Sequence, residues 1–326
     1  MKSVGIKGVG MYVPKKVLTN QDLEKMVDTS DEWIMKRVGI RERRIAEKEQ
    51  AASDLALPAS LEAIKEANIQ PSDIEAIITA TITPDMVFPN TSCLLAKKLG
   101  LKDIACFDLS AACSGYIYAL EVAKQLINGG TYKTILVVAS EVLSKITDWQ
   151  DRNTCVLFGD GAGASVLQEV EEGYGIIKSY LACEGRDDIL YLPAGGSRLP
   201  ASIETVEKRL HYMKMVGREV FKSAVVSMYN AVLRLLESCG ITTKDIDLLI
   251  PHQANYRIIK ALGEKLNLPE GKIFINLDKY GNVSAASCVI GLYEAIKEGK
   301  VKSGDLVVLV AFGGGLTYAA NLIRWQ

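Results

Sequence analysis

The succession of strands and helices in the first half of this chain recurs in the second, and that repetition restricts the fold more than any other feature. Apolar strand patterns at residues 3–9, 76–81, 104–109 and 134–140 are interleaved with helical patterns at 53–68 and 91–99. A small-residue run, Phe158-Gly-Asp-Gly-Ala-Gly-Ala164, then leads into a strand over 165–168. The second half replays this order: helix 216–238, strand 247–251, helix 255–266, strand 272–276, helix 285–298 and strand 306–311. Past Gly313-Gly-Gly315 comes a last strand over 316–323. A shift of roughly 170 residues superimposes strand on strand and helix on helix, the mark of one duplicated α/β unit rather than a short-period solenoid. Strands alternating with helices predict mostly parallel sheets covered by helices. The halves are expected at 1–170 and 171–326.

The duplication also brings chemistry together. Cys113 follows the strand at 104–109 and opens an amphipathic helix, where free N–H groups and the helix dipole favour a thiolate of lowered pKa. Under the shift Cys113 corresponds to Asn282–Val283, and Ile82 corresponds to His252. Two halves related by a pseudo-twofold place these strand-end loops about a common axis, beyond the carboxyl ends of the strands, where ligands bind. A free cysteine is most often a small buried hydrophobe and a lone histidine incidental. It is the convergence of Cys113, His252 and Asn282 that marks a site. Such a trio supports a hydrolase, with water resolving an acyl-cysteine. It equally supports a decarboxylating condensation, in which histidine and asparagine donate to a thioester enolate.

Composition narrows the rest. A chain of 326 residues, 48% hydrophobic, has ample core, and a formal net charge of −1 gives no global pull toward nucleic acid or an anionic membrane. Seven cysteines without CxxC spacing and only two histidines argue against zinc and against a disulfide framework. No signal-peptide pattern opens the chain, and apolar runs such as 306–312 are too short to span a bilayer, so a soluble, cytoplasmic protein is expected. In Thr29-Ser-Asp-Glu-Trp-Ile-Met-Lys-Arg-Val-Gly39, a capped helix, Trp33 and Arg37 share one face. By spacing alone a core tryptophan and a solvated arginine are the commoner outcome.

Six segments then coincide with one family in its order along nearly the whole chain: Thr29-Ser-Asp-Glu-Trp-Ile with Gly39-Ile-Arg-Glu-Arg43, Ala111-Ala-Cys-Ser-Gly115, Phe158-Gly-Asp-Gly-Ala-Gly163, Pro251-His-Gln-Ala-Asn255, Gly281-Asn-Val-Ser-Ala-Ala-Ser287 and Phe312-Gly-Gly-Gly315. The chain resembles the β-ketoacyl-[acyl carrier protein] synthase III family, initiating condensing enzymes of the thiolase superfamily. The resemblance implies a layered αβαβα thiolase-like fold, a homodimer, and no cofactor or metal beyond the coenzyme A thioester substrate. It implies Cys113 as the nucleophile for acyl-CoA, and His252 and Asn282 as the groups acting on malonyl-[acyl carrier protein]. The N–H groups of Cys113 and Gly314 would form the oxyanion hole. Trp33, Arg37, Arg152 and Asn255 match coenzyme A contacts. Ile82, Leu143 and Leu157, with Phe88 from a partner subunit, would bound the acyl pocket.

Acyl carrier proteins are acidic, so a local basic face is expected from Arg257, Lys260 and Lys265 on the helix after His252, extended by Lys214 and Arg218. Valine at 283, where threonine is frequent, keeps the asparagine beside it. The segment 179–198 departs further from the family and leaves primer choice, and with it a specialised pathway using a non-acetyl primer, open. A thiolase would need a second cysteine near the C-terminal glycine turn, and 312–316 has none. A hydrolase fits the trio but not the duplicated halves, and a non-catalytic scaffold does not explain an intact trio.

Overall fold

The computed structural model describes residues 2–326. Two main sheets form its frame. The first takes β1 (Val4–Tyr12), β2 (Ala76–Ala80), β3 (Ala105–Leu109), β4 (Ile135–Val142) and β5 (Asp160–Glu169) in the order β1-β5-β4-β2-β3. The second takes β6 (Gly175–Arg186), β7 (Leu248–Pro251), β8 (Leu306–Gly313) and β9 (Gly315–Arg324) in the order β6-β9-β8-β7. The main helices are α1 (Asp31–Arg37), α2 (Ala52–Glu66), α3 (Thr91–Leu99), α4 (Gly115–Asn128), α5 (Gly217–Glu237), α6 (Tyr256–Leu266) and α7 (Ala286–Lys297).

The layering follows from the period-2 alternation of apolar residues in the strands. Ile78 and Val137 face one way, into a core shared with Tyr116 and Leu120 of α4, Ile290 and Leu292 of α7, and Ile250 and Leu309 of the second sheet. Ile77, Leu136 and Val138 face the other way, against Leu55, Ala59 and Ala63 of α2. On the far side of the second sheet, Leu249, Val308 and Val310 pack with Leu235 of α5 and Leu262 of α6. The result is five layers, αβαβα, with α4 and α7 sandwiched between the sheets. Each fully buried Leu, Ile or Val contributes roughly 1.5–3 kcal/mol, so the central helices, buried from both sides, are the best anchored elements.

Expectations about strand pairing and extent are corrected. The sheets are mixed: β3, β2 and β4 run parallel, as do β7 and β8, but β1–β5, β5–β4, β8–β9 and β9–β6 are antiparallel. β8 and β9 are joined by a glycine turn with no helix between them, and so short a connection permits only an antiparallel pair. The strand at 272–276 is a short turn with a single bridge from Ile273 to Leu249. Its backbone is served by the buried Gln253 side chain, which donates to Phe274 O and accepts from Asn276 N, taking the place of a ladder. Much of the divergent segment 179–198 lies in β6, at the edge of the second sheet.

The glycine-rich run after Phe158 is itself part of β5 rather than a loop before it. A Cβ on Gly163 would lie 2.2 Å from Val289 Cγ1 and 3.0 Å from its Cβ, so glycine is what lets α7 approach the sheet. Gly163→Ala is expected to destabilise the fold by about 1–3 kcal/mol, read as a lowered urea midpoint with unchanged slope.

Candidate active site

Cys113 sits in a single 3-10 turn, Ala112–Ser114, between the end of β3 and the start of α4. Ala112 is held at φ 46, in the left-handed region that a residue with a Cβ rarely adopts, as in a strained turn that projects a side chain. Two links pin this turn to the start of β9: Thr317 Oγ1 donates to Ala111 O at 2.7 Å and Ser114 Oγ donates to Thr317 O at 3.2 Å. A Cβ on Gly313 would lie 2.5 Å from Cys113 N, so the glycine triplet is there to let two backbones meet.

Asn282 is clamped against the segment that leads into β5. Its N–H donates to Leu157 O at 2.8 Å and its carbonyl accepts from Gly159 N at 3.1 Å. Its Oδ1 accepts from Ser284 N at 2.8 Å, which leaves the amide NH2 as the donor available to the cavity it lines. His252 follows β7, its N–H donating to Val310 O at 2.7 Å, and its Nδ1 is 2.6 Å from Ser287 Oγ on α7. Complete burial lowers its pKa to about 3, so the imidazole is neutral at any physiological pH.

These three residues and Gly314 line one cavity of about 1020 Å3. Its wall includes Ile82, Leu143 and Leu157, together with Leu190 and Leu192 from the divergent segment. Exposed cations mark its mouth: Arg37, Arg218, Lys222 and Arg257. Trp33 lies there too, with Arg152 Cζ 4.7 Å from its ring centroid and Arg152 Nη1 donating to Asp28 O. Ser30 caps α1 by accepting from Trp33 N, and Asn255 caps α6 by accepting from Arg257 N while donating to Arg37 O. The Asn255 cap holds the start of α6 against the end of α1.

Other candidates fall elsewhere. Phe88 does not line the cavity of its own chain and is 83% exposed, beside Val87 and Met86. Lys214 is drawn to Asp148 at 3.7 Å, Lys265 lies over the Tyr229 ring, and Lys260 borders a separate small groove. None of the three reaches the cavity mouth.

The expected low pKa of Cys113 is corrected. Burial, with a smaller push from Glu141, raises the thiol to about 12. The helix start is present, but the sulfur is desolvated among apolar atoms, and a thiolate there loses more hydration than the dipole restores. Sequence reasoning also passed over Ser284, Ser287 and Glu141. The signal for Glu141 was its place as the lone charge in the apolar run Ile135-Leu-Val-Val-Ala-Ser-Glu-Val142. The serines gave none, sitting in a run of small residues that reads as a helix opening.

A thiolase-like fold with a buried cysteine on the wall of a large cavity is the arrangement of an acyltransferase. Residues 107–185 match the 3-oxoacyl-[acyl-carrier-protein (ACP)] synthase III family, and residues 236–325 match the C-terminal part of that synthase. The chain is similar to the beta-ketoacyl-[acyl-carrier-protein] synthase III of Caldanaerobacter subterraneus subsp. tengcongensis, 57% identical over 325 residues that cover 99% of this chain and 98% of that protein. Among solved structures, the 3-oxoacyl-[acyl-carrier-protein] synthase III of Aquifex aeolicus aligns with a TM-score of 0.91 at 50% identity, covering 99% of this chain and 100% of that one. The synthase III of Thermus thermophilus aligns at 0.93 and 45% identity, covering 99% of each chain. The chain belongs to the 3-oxoacyl-[acyl-carrier-protein] synthase III family.

Proposed function

We propose that this enzyme initiates fatty acid biosynthesis by transferring an acyl primer from acyl-CoA to Cys113 and condensing it with malonyl-[acyl carrier protein]. The products are 3-oxoacyl-[acyl carrier protein], carbon dioxide and coenzyme A. One observation carries this reading: Cys113, His252 and Asn282, contributed by both halves, share the buried end of a cavity whose mouth is ringed by cations. Family membership supports the same reading.

In the first half-reaction the Cys113 sulfur attacks the thioester carbonyl. The N–H groups of Cys113 and Gly314 receive the developing oxyanion, for which Gly313 leaves the necessary backbone proximity. In the second, the neutral His252 and the amide NH2 of Asn282 donate to the malonyl thioester oxygen, stabilising the enolate left when carbon dioxide departs. The enolate carbon then attacks the acyl-cysteine. A neutral imidazole suits this task, since it donates without drawing a compensating anion into the pocket.

The pantetheine arm would enter past Asn255, with the nucleotide end over Trp33, Arg37 and Arg152. Ile82, Leu143 and Leu157 would bound the primer, with the exposed Met86–Phe88 loop completing the pocket of a second copy in a homodimer. The two halves, 1–170 and 171–326, are read as the duplicated units that supply nucleophile and donors respectively. Carrier docking is assigned to the mouth cations Arg218 and Lys222 of α5 and Arg257 of α6, with Lys260 and Lys265 further along α6. No helix among the described residues is long and apolar enough to cross a membrane, and the assigned partners are water-soluble acyl carriers.

The test is a direct assay of the purified protein with a panel of acyl-CoA primers and malonyl-[acyl carrier protein]. One carbon dioxide and one 3-oxoacyl-[acyl carrier protein] are expected per coenzyme A released. No condensation with any primer would defeat the assignment. In the same assay, Arg218→Glu with Arg257→Glu is expected to raise the apparent KM for the carrier substrate by about tenfold, with a steep salt dependence in the parent. An equal rise for acyl-CoA would remove the docking assignment.

A further inference from the structure

The run Asn282-Val-Ser-Ala-Ala-Ser287 supplies more than its asparagine. It leads into α7, and Ser287 falls in the first turn of that helix. Ser287 and His252 are each only 3% exposed. Among the described residues the Ser287 hydroxyl makes two hydrogen bonds. One joins it to His252 Nδ1 at 2.6 Å, and in the other its oxygen accepts from Gln253 N at 3.3 Å. The Gln253 backbone is itself held in place, because its side chain donates to Pro251 O and Phe274 O and accepts from Asn276 N.

The bond from Gln253 settles the direction of the bond to His252. An amide N–H can only donate, so the Ser287 oxygen is the acceptor there, and Nδ1 is the acceptor left for the hydroxyl proton. If Nδ1–H donated to the same oxygen instead, that proton would be buried with no acceptor, which is costly. Burial keeps the imidazole uncharged, so the ring carries a single proton. With Nδ1 accepting, the proton sits on Nε2, the nitrogen left for the cavity that His252 lines. The opposite tautomer would present a bare Nε2, an acceptor, to a thioester oxygen that needs a donor.

We propose that Ser287 is the positioning residue that fixes His252 as its Nε2–H tautomer for the malonyl thioester oxygen. This rests on His252 serving the second half-reaction. The same segment treats Asn282 alike, since Ser284 N–H occupies Oδ1 and leaves the amide NH2 as the free donor. One stretch of chain thus presets both donors before substrate arrives, and neither has to reorganise as the enolate forms. Ser287 itself neither gains nor loses a proton in the reaction.

The chain has two histidines, which makes the tautomer open to direct observation. With nitrogen-15 histidine incorporated, the ring nitrogens of the enzyme are read by NMR above neutral pH. Nε2 is told from Nδ1 by its coupling to both ring C–H protons, and a His211→Gln variant assigns the two rings. His211 bonds to Thr205 Oγ1 and does not line the cavity. His252 is expected as Nε2–H in the wild type, and Nδ1–H there would overturn the proposal. In Ser287→Ala the Nδ1 resonance should move as its donor is lost. Decarboxylation of malonyl-[acyl carrier protein] by that variant should fall about 10-fold in kcat with KM little changed. Single-turnover acylation of Cys113 by acyl-CoA should keep its wild-type rate. Ser287→Thr, which retains the hydroxyl, should restore both spectrum and rate. Wild-type decarboxylation by Ser287→Ala, or an equal loss in both half-reactions, would reduce Ser287 to packing and reject the proposal. If Ser287→Ala does not fold, the wild-type spectrum decides alone. A wild type that shows Nε2–H yet neither acylates Cys113 nor decarboxylates the malonyl substrate would instead overturn the functional reading.

Discussion

Replacing Cys113 with alanine is expected to remove acyl transfer altogether, lowering the overall condensation rate by on the order of 10⁴-fold or more. The wild-type chain should gain the mass of one acyl group on incubation with acyl-CoA, mapped to the peptide containing Cys113, and the variant none. The effect is this large because covalent capture splits one difficult condensation into two easier steps. The other six cysteines do not substitute, because none of them lines the cavity, and Cys155 and Cys288 are buried. Acylation at any of them in the variant would show that the nucleophile is misassigned. The Cys113→Ala fold should persist, since only the sulfur is lost from a position with backbone anchors on both sides.

His252→Ala separates the two half-reactions. It should acylate Cys113 normally yet condense about 10²–10³-fold more slowly, the cost of removing one preorganised donor from a developing oxyanion. With its pKa held near 3, His252 does not titrate near 6.5, so condensation from pre-acylated enzyme should be flat in pH through that region. The same depression bears on stability. The unfolded histidine binds its proton below about 6.5 and the folded one only below about 3, so the unfolded state holds more protons between these values. Stability tied to this group is complete above pH 6.5 and falls away on acidification toward 3. A His252→Ala variant with wild-type condensation would reassign the decarboxylation donors to Asn282 alone.

The apolar strand runs and the amphipathic helices were readable because their patterns are local: α3 spans Thr91–Leu99, as the pattern predicts. The direction of strand pairing was not, since β8 and β9 owe theirs to a glycine turn and β5 to contacts with two neighbours. The strand missing at 272–276 shows a longer-range competition, in which Gln253 supplies hydrogen bonds that periodicity assigns to a sheet. Among basic residues, Arg257 could be placed at the site by its distance from His252, but Lys214 could not, because Asp148 draws it aside.

From its residues alone, this chain reads as a repeated succession of strands and helices and names Cys113, His252 and Asn282 as residues to bring together. Repetition and small-residue turns are written along the backbone and need no knowledge of neighbours. The protonation of the site was decided only by the tertiary structure. A helix start in isolation predicts a low thiol pKa, yet packing between two sheets strips water from Cys113 and raises it. The same enclosure keeps His252 neutral. Desolvation depends on everything that surrounds a group, and that is set by residues more than a hundred positions away in the chain.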